Sequence, residues 1–461
     1  MHGNHRLTSF SQALDYAAEG PLFTGKVLMG EARTEIDVVY DTGSDWLSVP
    51  DVTCLECEGQ VFDASLSSPV DPALDRRVYG SARLLGSTFS DQVCLNWETD
   101  SCLDSFEFFS FTEQVGLAKP IEGMLGLSQK HQSTLAEEEH TLGPLFVLEL
   151  AKAGNINQGE FSFALNSLDL DSSFVDFGPP VAARVEGGDL ESLVTLQFNE
   201  DFYWSTSWQG IQFAEGDGGF AVENDLQYAI FDSGTAHLFF PESSYDRVMS
   251  HLLKEAGNPE HFLLEGVTFL ECYVELDFKP LWLMFDGHWL RISPQDYIFD
   301  VQGDGSLCML LILKNSYDFF IVGQPALRGY YAAHNMRLST IGFAPLAGSG
   351  NEPLRAGTVP TKSMKMAKDR GAAVAIIAVV GYFTVTILIY NYAYNPWLLF
   401  TFTPWFESTF GITLPQIYVT LFGKVAFFLV LILAFYFGLL PLLGVETGKL
   451  NLLDLIAGLI V

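Results

Sequence analysis

The sequence predicts an all-β protein of two similar lobes in tandem with few short helices, followed by a transmembrane helical hairpin. Three observations carry this. Between residues 22 and 346 the chain is built of short alternating or apolar runs punctuated by Gly, Pro, Asp and Ser, the pattern of many short strands. A strand that delivers an Asp-Thr-Gly or Asp-Ser-Gly turn occurs twice, with Asp232 lying 191 residues after Asp41. Two long uncharged apolar runs close the chain.

The bulk numbers bound the class. At 461 residues and 49% hydrophobic content the chain has room for two or three sizeable cores and is not disordered. Before Arg355, 17 Lys and Arg face 52 Asp and Glu, a balance that repels nucleic acid. It suits either a soluble acidic surface or an acidic compartment in which many carboxylates are protonated. The six cysteines, Cys54, Cys57, Cys94, Cys102, Cys272 and Cys308, all precede the apolar runs. An even count confined to one region favours three disulfides and an oxidising compartment. Zinc is the lesser reading, because Cys54-x-x-Cys57 has neither a second close pair nor a nearby histidine. The nine histidines show no metal-protease spacing, and there is no phosphate-binding glycine loop or nucleophilic Ser or Cys constellation. No metal and no cofactor is expected.

Taken in order, residues 1–20 form an N-terminal extension without an apolar run of signal-peptide length. In "VVYDTGSDWLSV", residues 38–49, Val38, Val39 and Tyr40 read as a strand buried on both faces, and Gly43 ends it by admitting backbone angles closed to other residues. Asp41 is thereby delivered to a buried strand end, where a carboxylate needs hydrogen bonds, and Thr42, Gly43 and Ser44 offer hydroxyls and an amide. "YAIFDSGTAHL", residues 228–238, repeats the device: Ala229, Ile230 and Phe231 deliver Asp232, with Ser233, Gly234 and Thr235 beside it. Each tetrad is followed at a distance by an apolar-apolar-Gly sequence, "GMLGL" at 123–127 and "FIVGQ" at 320–324. A duplicated fold can bring two such strand ends together across a pseudo-twofold axis. Helices are expected at 144–153 and 243–255. Residues 347–361 read as a Gly, Pro and polar linker running into the basic cluster "KSMKMAKDR" at 362–370. Residues 372–392, 21 uncharged positions or roughly 31 Å of helix, and residues 425–443 are the expected spans, with a Trp-, Phe- and Pro-rich interfacial loop between them.

These motifs make residues 22–346 resemble the pepsin-like aspartic endopeptidases. "LFTGKVLMG" is similar to that family's opening strand, "YDTGSDWLSV" to its first catalytic motif, "VYGSARLLG" to its flap hairpin, and "EGMLGLS" and "IVGQPALRGYYAAHN" to the segments crossing beneath its two active-site loops. The resemblance implies a bilobal double β-barrel with an N-terminal lobe at 21–185 and a C-terminal lobe at 186–346; the composition of the rest is read as a linker over 347–371 and a membrane domain over 372–461. It implies Asp41 and Asp232 as a catalytic pair that activates water, Thr42 and Ser233 holding the loops across the lobe interface, and Ser44 and Thr235 bonding the outer carboxylate oxygens. Tyr79 and Gly80 would belong to the flap over an extended peptide or protein substrate. Cys272 would pair with Cys308 and Cys54 with Cys57, and Cys94 with Cys102 is the third expected disulfide.

Several positions depart from the family pattern. Asp45, Trp46 and Ser48 replace its small-polar and tryptophan residues, so the flap tyrosine is expected to lose its tryptophan partner. Ala82 stands where many flaps carry glycine, which stiffens the hairpin. Ala236 replaces a hydroxyl residue. Gln324 and Asn335 replace aspartates, which is expected to alter the acid-pH behaviour of the site.

The cues for membrane orientation conflict. Disulfides and an acid-protease site place the β region on a lumenal or extracellular, endolysosomal or vacuolar side. Lys362, Lys365, Lys368 and Arg370 beside the first span, a loop at 393–421 without Lys or Arg, and the lack of an Asn-x-Ser/Thr sequon favour the cytoplasmic side. The preferred reading is a lumenal, membrane-anchored aspartic endopeptidase, with peptide substrate and membrane lipid as partners and no nucleic acid. The alternative is a catalytically unused domain of the same fold, serving as a structural subunit of a membrane-protein assembly in an organelle such as the mitochondrion.

Overall fold

A computed structural model describes residues 9–362, apart from 18–19, 81, 99–100, 118–120, 131–142, 214–218 and 223–227. The expected spans at 372–392 and 425–443, and the basic cluster beyond Lys362, lie outside the described residues. Among the described residues no helix is long and apolar enough to cross a membrane.

The repeat seen in the sequence is a repeat of topology. The first acid strand, Thr34–Asp41, pairs antiparallel with Phe23–Met29 and parallel with Gly123–Gly126, where Asp41 stands opposite Gly126. Gly123–Gly126 in turn pairs antiparallel with Leu47–Pro50. The second acid strand, Tyr228–Phe231, pairs antiparallel with Ser205–Gln212 and parallel with Phe320–Val322, which pairs antiparallel with Leu238–Pro241. Parallel neighbours require a long crossover, which is why each apolar-apolar-Gly sequence lies far along the chain from its acid strand. Val38, Val39 and Tyr40 are at most 2% exposed, as a strand covered on both faces must be.

A shared sheet joins the two halves. Glu160–Ala164 and Ser173–Phe177 come from the first half, Tyr330–Asn335 and Thr340–Pro345 from the second, and Tyr331 stands opposite Ala164 at the junction. His334 is buried there, stacked on Phe161 at 4.6 Å with the Trp204 ring edge-on at 4.9 Å. Residues read as peripheral also join the sheets. Phe10–Tyr16, within the expected N-terminal extension, pairs with Ser173–Phe177. Arg355–Ala356, within the expected linker, adds an edge strand to His288–Ile292.

The two expected helices are present as Phe146–Ala153 and Glu242–Glu255. The first starts two residues later than expected because Leu145 is extended, and it ends on Gly154 at φ +84°, a left-handed angle that glycine adopts at little cost. Single-turn helices at Pro294–Tyr297 and Gln324–Leu327 were not expected, being too short to show a helical period. Disulfides join Cys54 to Cys57, Cys94 to Cys102 and Cys272 to Cys308.

Candidate active site

Two buried strands end at one place. Asp41 is 7% exposed; its carboxylate Oδ1 accepts from the Gly43 amide at 2.8 Å, and its carbonyl accepts from Leu127 N at 2.7 Å. Asp232 is held similarly: Oδ1 accepts from Gly234 N at 2.9 Å, and its own amide donates to Val322 O at 3.0 Å. The crossing strands thus anchor both acid loops through the backbone.

Thr42 and Ser233, each at most 1% exposed, lock the loops to one another. Thr42 Oγ1 donates to Phe231 O at 2.9 Å and accepts from Ser233 N at 2.9 Å. Ser233 Oγ donates to Tyr40 O at 2.6 Å and accepts from Thr42 N at 3.0 Å. Each hydroxyl therefore serves both its donor and its acceptor capacity across the interface, leaving no unpaired polar atom in the ring.

Glycine is needed beside each acid. A Cβ on Gly234 would lie 2.3 Å from Asp41 Oδ1, and one on Gly43 would lie 2.9 Å from the Asp232 carboxyl carbon. The carboxylates come within hydrogen-bonding reach of each other because neither neighbour has a side chain. Burial, the charge of Asp41 and the hydrogen bond with it all hold the Asp232 carboxyl well above the usual range, outweighing the donors from Thr235 and Gly234. A Gly234→Ala variant is expected to lose about 100-fold in kcat, since sub-ångström placement of reacting groups carries that much rate. Retained kcat within threefold, with an unchanged melting temperature, would show that the close approach is not needed.

The hydroxyls that close the two tetrads behave differently. Thr235 Oγ1 donates to Asp232 Oδ2 at 2.7 Å, as expected. Ser44 Oγ is buried without a hydrogen-bond partner among the described residues, which corrects the expectation that it bonds the Asp41 carboxylate. The γ-methyl of Thr235 restricts χ1, whereas serine is free to turn away from the acid.

The hairpin of Ser68–Tyr79 and Ala82–Cys94 turns at Gly80, φ +53°, with Tyr79 opposite Ala82. Tyr79 is not left without a partner. Its Oη shares a 2.8 Å hydrogen bond with Ser48 Oγ, so the residue that replaces tryptophan takes over the contact. Burial raises the Tyr79 phenol far above its ordinary pKa, so it stays protonated.

Gln324 bridges the opening strand and the second acid loop: Oε1 accepts from Phe23 N at 3.0 Å and Nε2 donates to Ser233 O at 2.8 Å. An amide supplies donor and acceptor at every pH, so this bridge does not titrate. Asn335 instead caps its own turn, Oδ1 accepting from Leu338 N at 2.9 Å, and donates to Glu160 in the shared sheet. Two residues were not singled out from sequence. Burial, with smaller contributions from the charges of Asp232 and Asp41, pushes Tyr203 up to about 12. Trp204 Nε1 donates to Leu127 O at 3.0 Å and steadies the loop that bonds Asp41. The aromatic run "FYW" at 202–204 is the only local signal for either.

The chain is similar in sequence to known proteins over most of its length. The family model described as eukaryotic aspartyl protease matches residues 22–346. A vacuolar aspartic protease of Candida albicans is 26% identical over 336 residues, 69% of this chain and 74% of that protein. Gastricsin of Oryctolagus cuniculus is 24% identical over 70% of this chain and 81% of its own. Plasmepsin IV of Plasmodium falciparum is 26% identical over 70% of this chain and 69% of its own.

Proposed function

The chain belongs to the eukaryotic aspartyl protease family and is an aspartic-type endopeptidase, and from that premise we propose that Asp41 and Asp232 are its water-activating pair. The observation that carries this is the mutual approach of two carboxylates past Gly43 and Gly234, which makes one of them retain its proton. Asp232 is the protonated member and donates to the substrate carbonyl. Asp41 takes a proton from a water between the two, and the hydroxide adds to the carbonyl carbon to give a tetrahedral diol without a covalent enzyme adduct. Asp41 then passes that proton to the leaving nitrogen while Asp232 takes one back from a diol hydroxyl, so the C–N bond breaks to an amine and a carboxylic acid and the pair is restored. The Thr42–Ser233 ring prevents the loops from separating while charge moves between the acids. Tyr79 and the flap close over an extended peptide and exclude water.

The three disulfides, the acidic surface and the vacuolar relatives support a lumenal, acidic setting. The uncharged runs at 372–392 and 425–443 support anchoring to the membrane there. The test is cleavage of a mixed-peptide library by the full chain from pH 3 to 7, with and without a peptide isostere bearing a hydroxyl in place of the scissile carbonyl. Cleavage blocked by the isostere is expected. Folded protein with no cleavage at any pH would overturn the reading.

A further inference from the structure

The flap carries a buried cation that the mechanism does not use. Arg77 lies two residues before Tyr79 on the same strand, so both side chains leave the same face. Arg77 is 5% exposed. Its guanidinium carbon sits 4.2 Å from the centroid of the Trp46 ring and 5.0 Å from that of Phe109, and Nη2 lies 3.2 Å from Asp75 Oδ2. Trp46 is itself 3% exposed and packs so closely on Gly143 that a Cβ there would lie 2.5 Å from the indole. A guanidinium withdrawn from water is destabilising unless its charge is taken up, and here two ring faces and a carboxylate take it up.

Trp46 and Ser48 stand two residues apart just after the first acid loop. Arg77 and Tyr79 stand two apart on the flap. Arg77 meets Trp46, and Tyr79 meets Ser48 at 2.8 Å. Two contacts at matched spacing fix both the position and the register of one segment on another; a single hydrogen bond leaves rotation about it free.

We propose that Arg77 is a positioning residue, which with the Tyr79–Ser48 bond latches the flap in register over the Asp41 loop. This rests on reading the hairpin as the lid of the proposed site. The latch sets how long the flap stays closed on a peptide, and so acts on binding more than on the chemical step. The planar guanidinium is required because it faces the indole while its edge reaches Asp75; a lysine ammonium reaches one partner at a time.

Hydrogen–deuterium exchange on the full-length, ligand-free protein tests the latch without requiring cleavage. Arg77→Met, which keeps the aliphatic stem, is expected to speed exchange across residues 68–94 at least tenfold, leaving residues 160–177 and 330–345 unchanged. Arg77→Lys is expected to restore part of the protection, and Ser48→Ala alone to give a smaller acceleration of the same segment. On a cleavable peptide, Arg77→Met is expected to raise KM about tenfold with kcat within threefold. Flap exchange within twofold of the parent in Arg77→Met and Ser48→Ala alike would overturn the proposal, as would acceleration spread evenly over the whole first half. Should Arg77→Met not fold, Arg77→Lys and Ser48→Ala decide it by the same segment-specific readout. Loss of cleavage in the parent protein would instead count against the catalytic assignment and leave the exchange result standing.

Discussion

Asp41→Asn and Asp232→Asn are each expected to lower kcat by roughly four orders of magnitude, and the double variant is expected to fall no further than tenfold below either single one. General acid and base catalysis each contribute about 10²- to 10⁴-fold, and groups that act as a unit lose most of their effect when one member goes. In the proposed pair the unit is physical: one carboxyl keeps its proton beside the other, Gly234 N and Thr235 Oγ1 hold Asp232, and Gly43 N holds Asp41. The variants should differ in pH behaviour. The Asp232 carboxyl is raised by burial and by Asp41, so the stability linked to its proton is fully present below its unfolded pKa and is lost as pH rises through its folded value. Asp232→Asn removes that penalty and should melt no lower than the parent at neutral pH, which separates lost chemistry from lost fold. Additive losses in the double variant, measured by single-turnover cleavage, would mean that the carboxylates act independently.

His334→Phe is expected to raise the melting temperature at pH 4 while leaving it little changed, or lower, at pH 7.5. His334 is 2% exposed between Phe161, Phe163 and Trp204, with Nδ1 3.0 Å from Ala332 O. Burial pushes its pKa down from 6.5 to about 3. A depressed histidine keeps its full contribution above the unfolded pKa and loses it as pH falls towards the folded one. At about 1.4 kcal/mol per unit, acidification to pH 4 costs roughly 3 kcal/mol at this residue. His237, pushed down to about 4 by burial and the charge of Arg328, adds to the loss on the acid side. Asp296 opposes them: burial lifts its pKa from 3.8 to about 6, so its contribution is lost as pH rises through that window. Two histidines outweigh one carboxyl, so these three groups together favour the fold more as pH rises from 4 to about 6.5 and change little above that. Parallel melting curves for the parent and His334→Phe between pH 4 and 7.5 would show that the imidazole carries no such cost.

The sequence by itself determined what could be read along a short stretch of chain. Val38–Val39–Tyr40 and Ala229–Ile230–Phe231 are apolar runs that end in glycine turns, and the shared tetrads identified two acids, their hydroxyl neighbours and the duplication that pairs them. Segment roles that depend on partners were less legible. Phe10–Tyr16 and Arg355–Ala356 looked peripheral because strands distant in sequence hold them: the first lies inside a sheet between Ser173–Phe177 and Phe23–Met29, and the second edges His288–Ile292. The tertiary structure alone decided that Ser48 and Tyr79 share a hydrogen bond, that Thr235 bonds its acid while Ser44 does not, and that Arg77 rests on Trp46. It also decided that His334 is sealed in the shared sheet. Local pattern fixes which way a strand faces, through a two-residue period. Which side chain meets which across tens or hundreds of residues is set by strand register and packing, and those exist only once the sheets have closed.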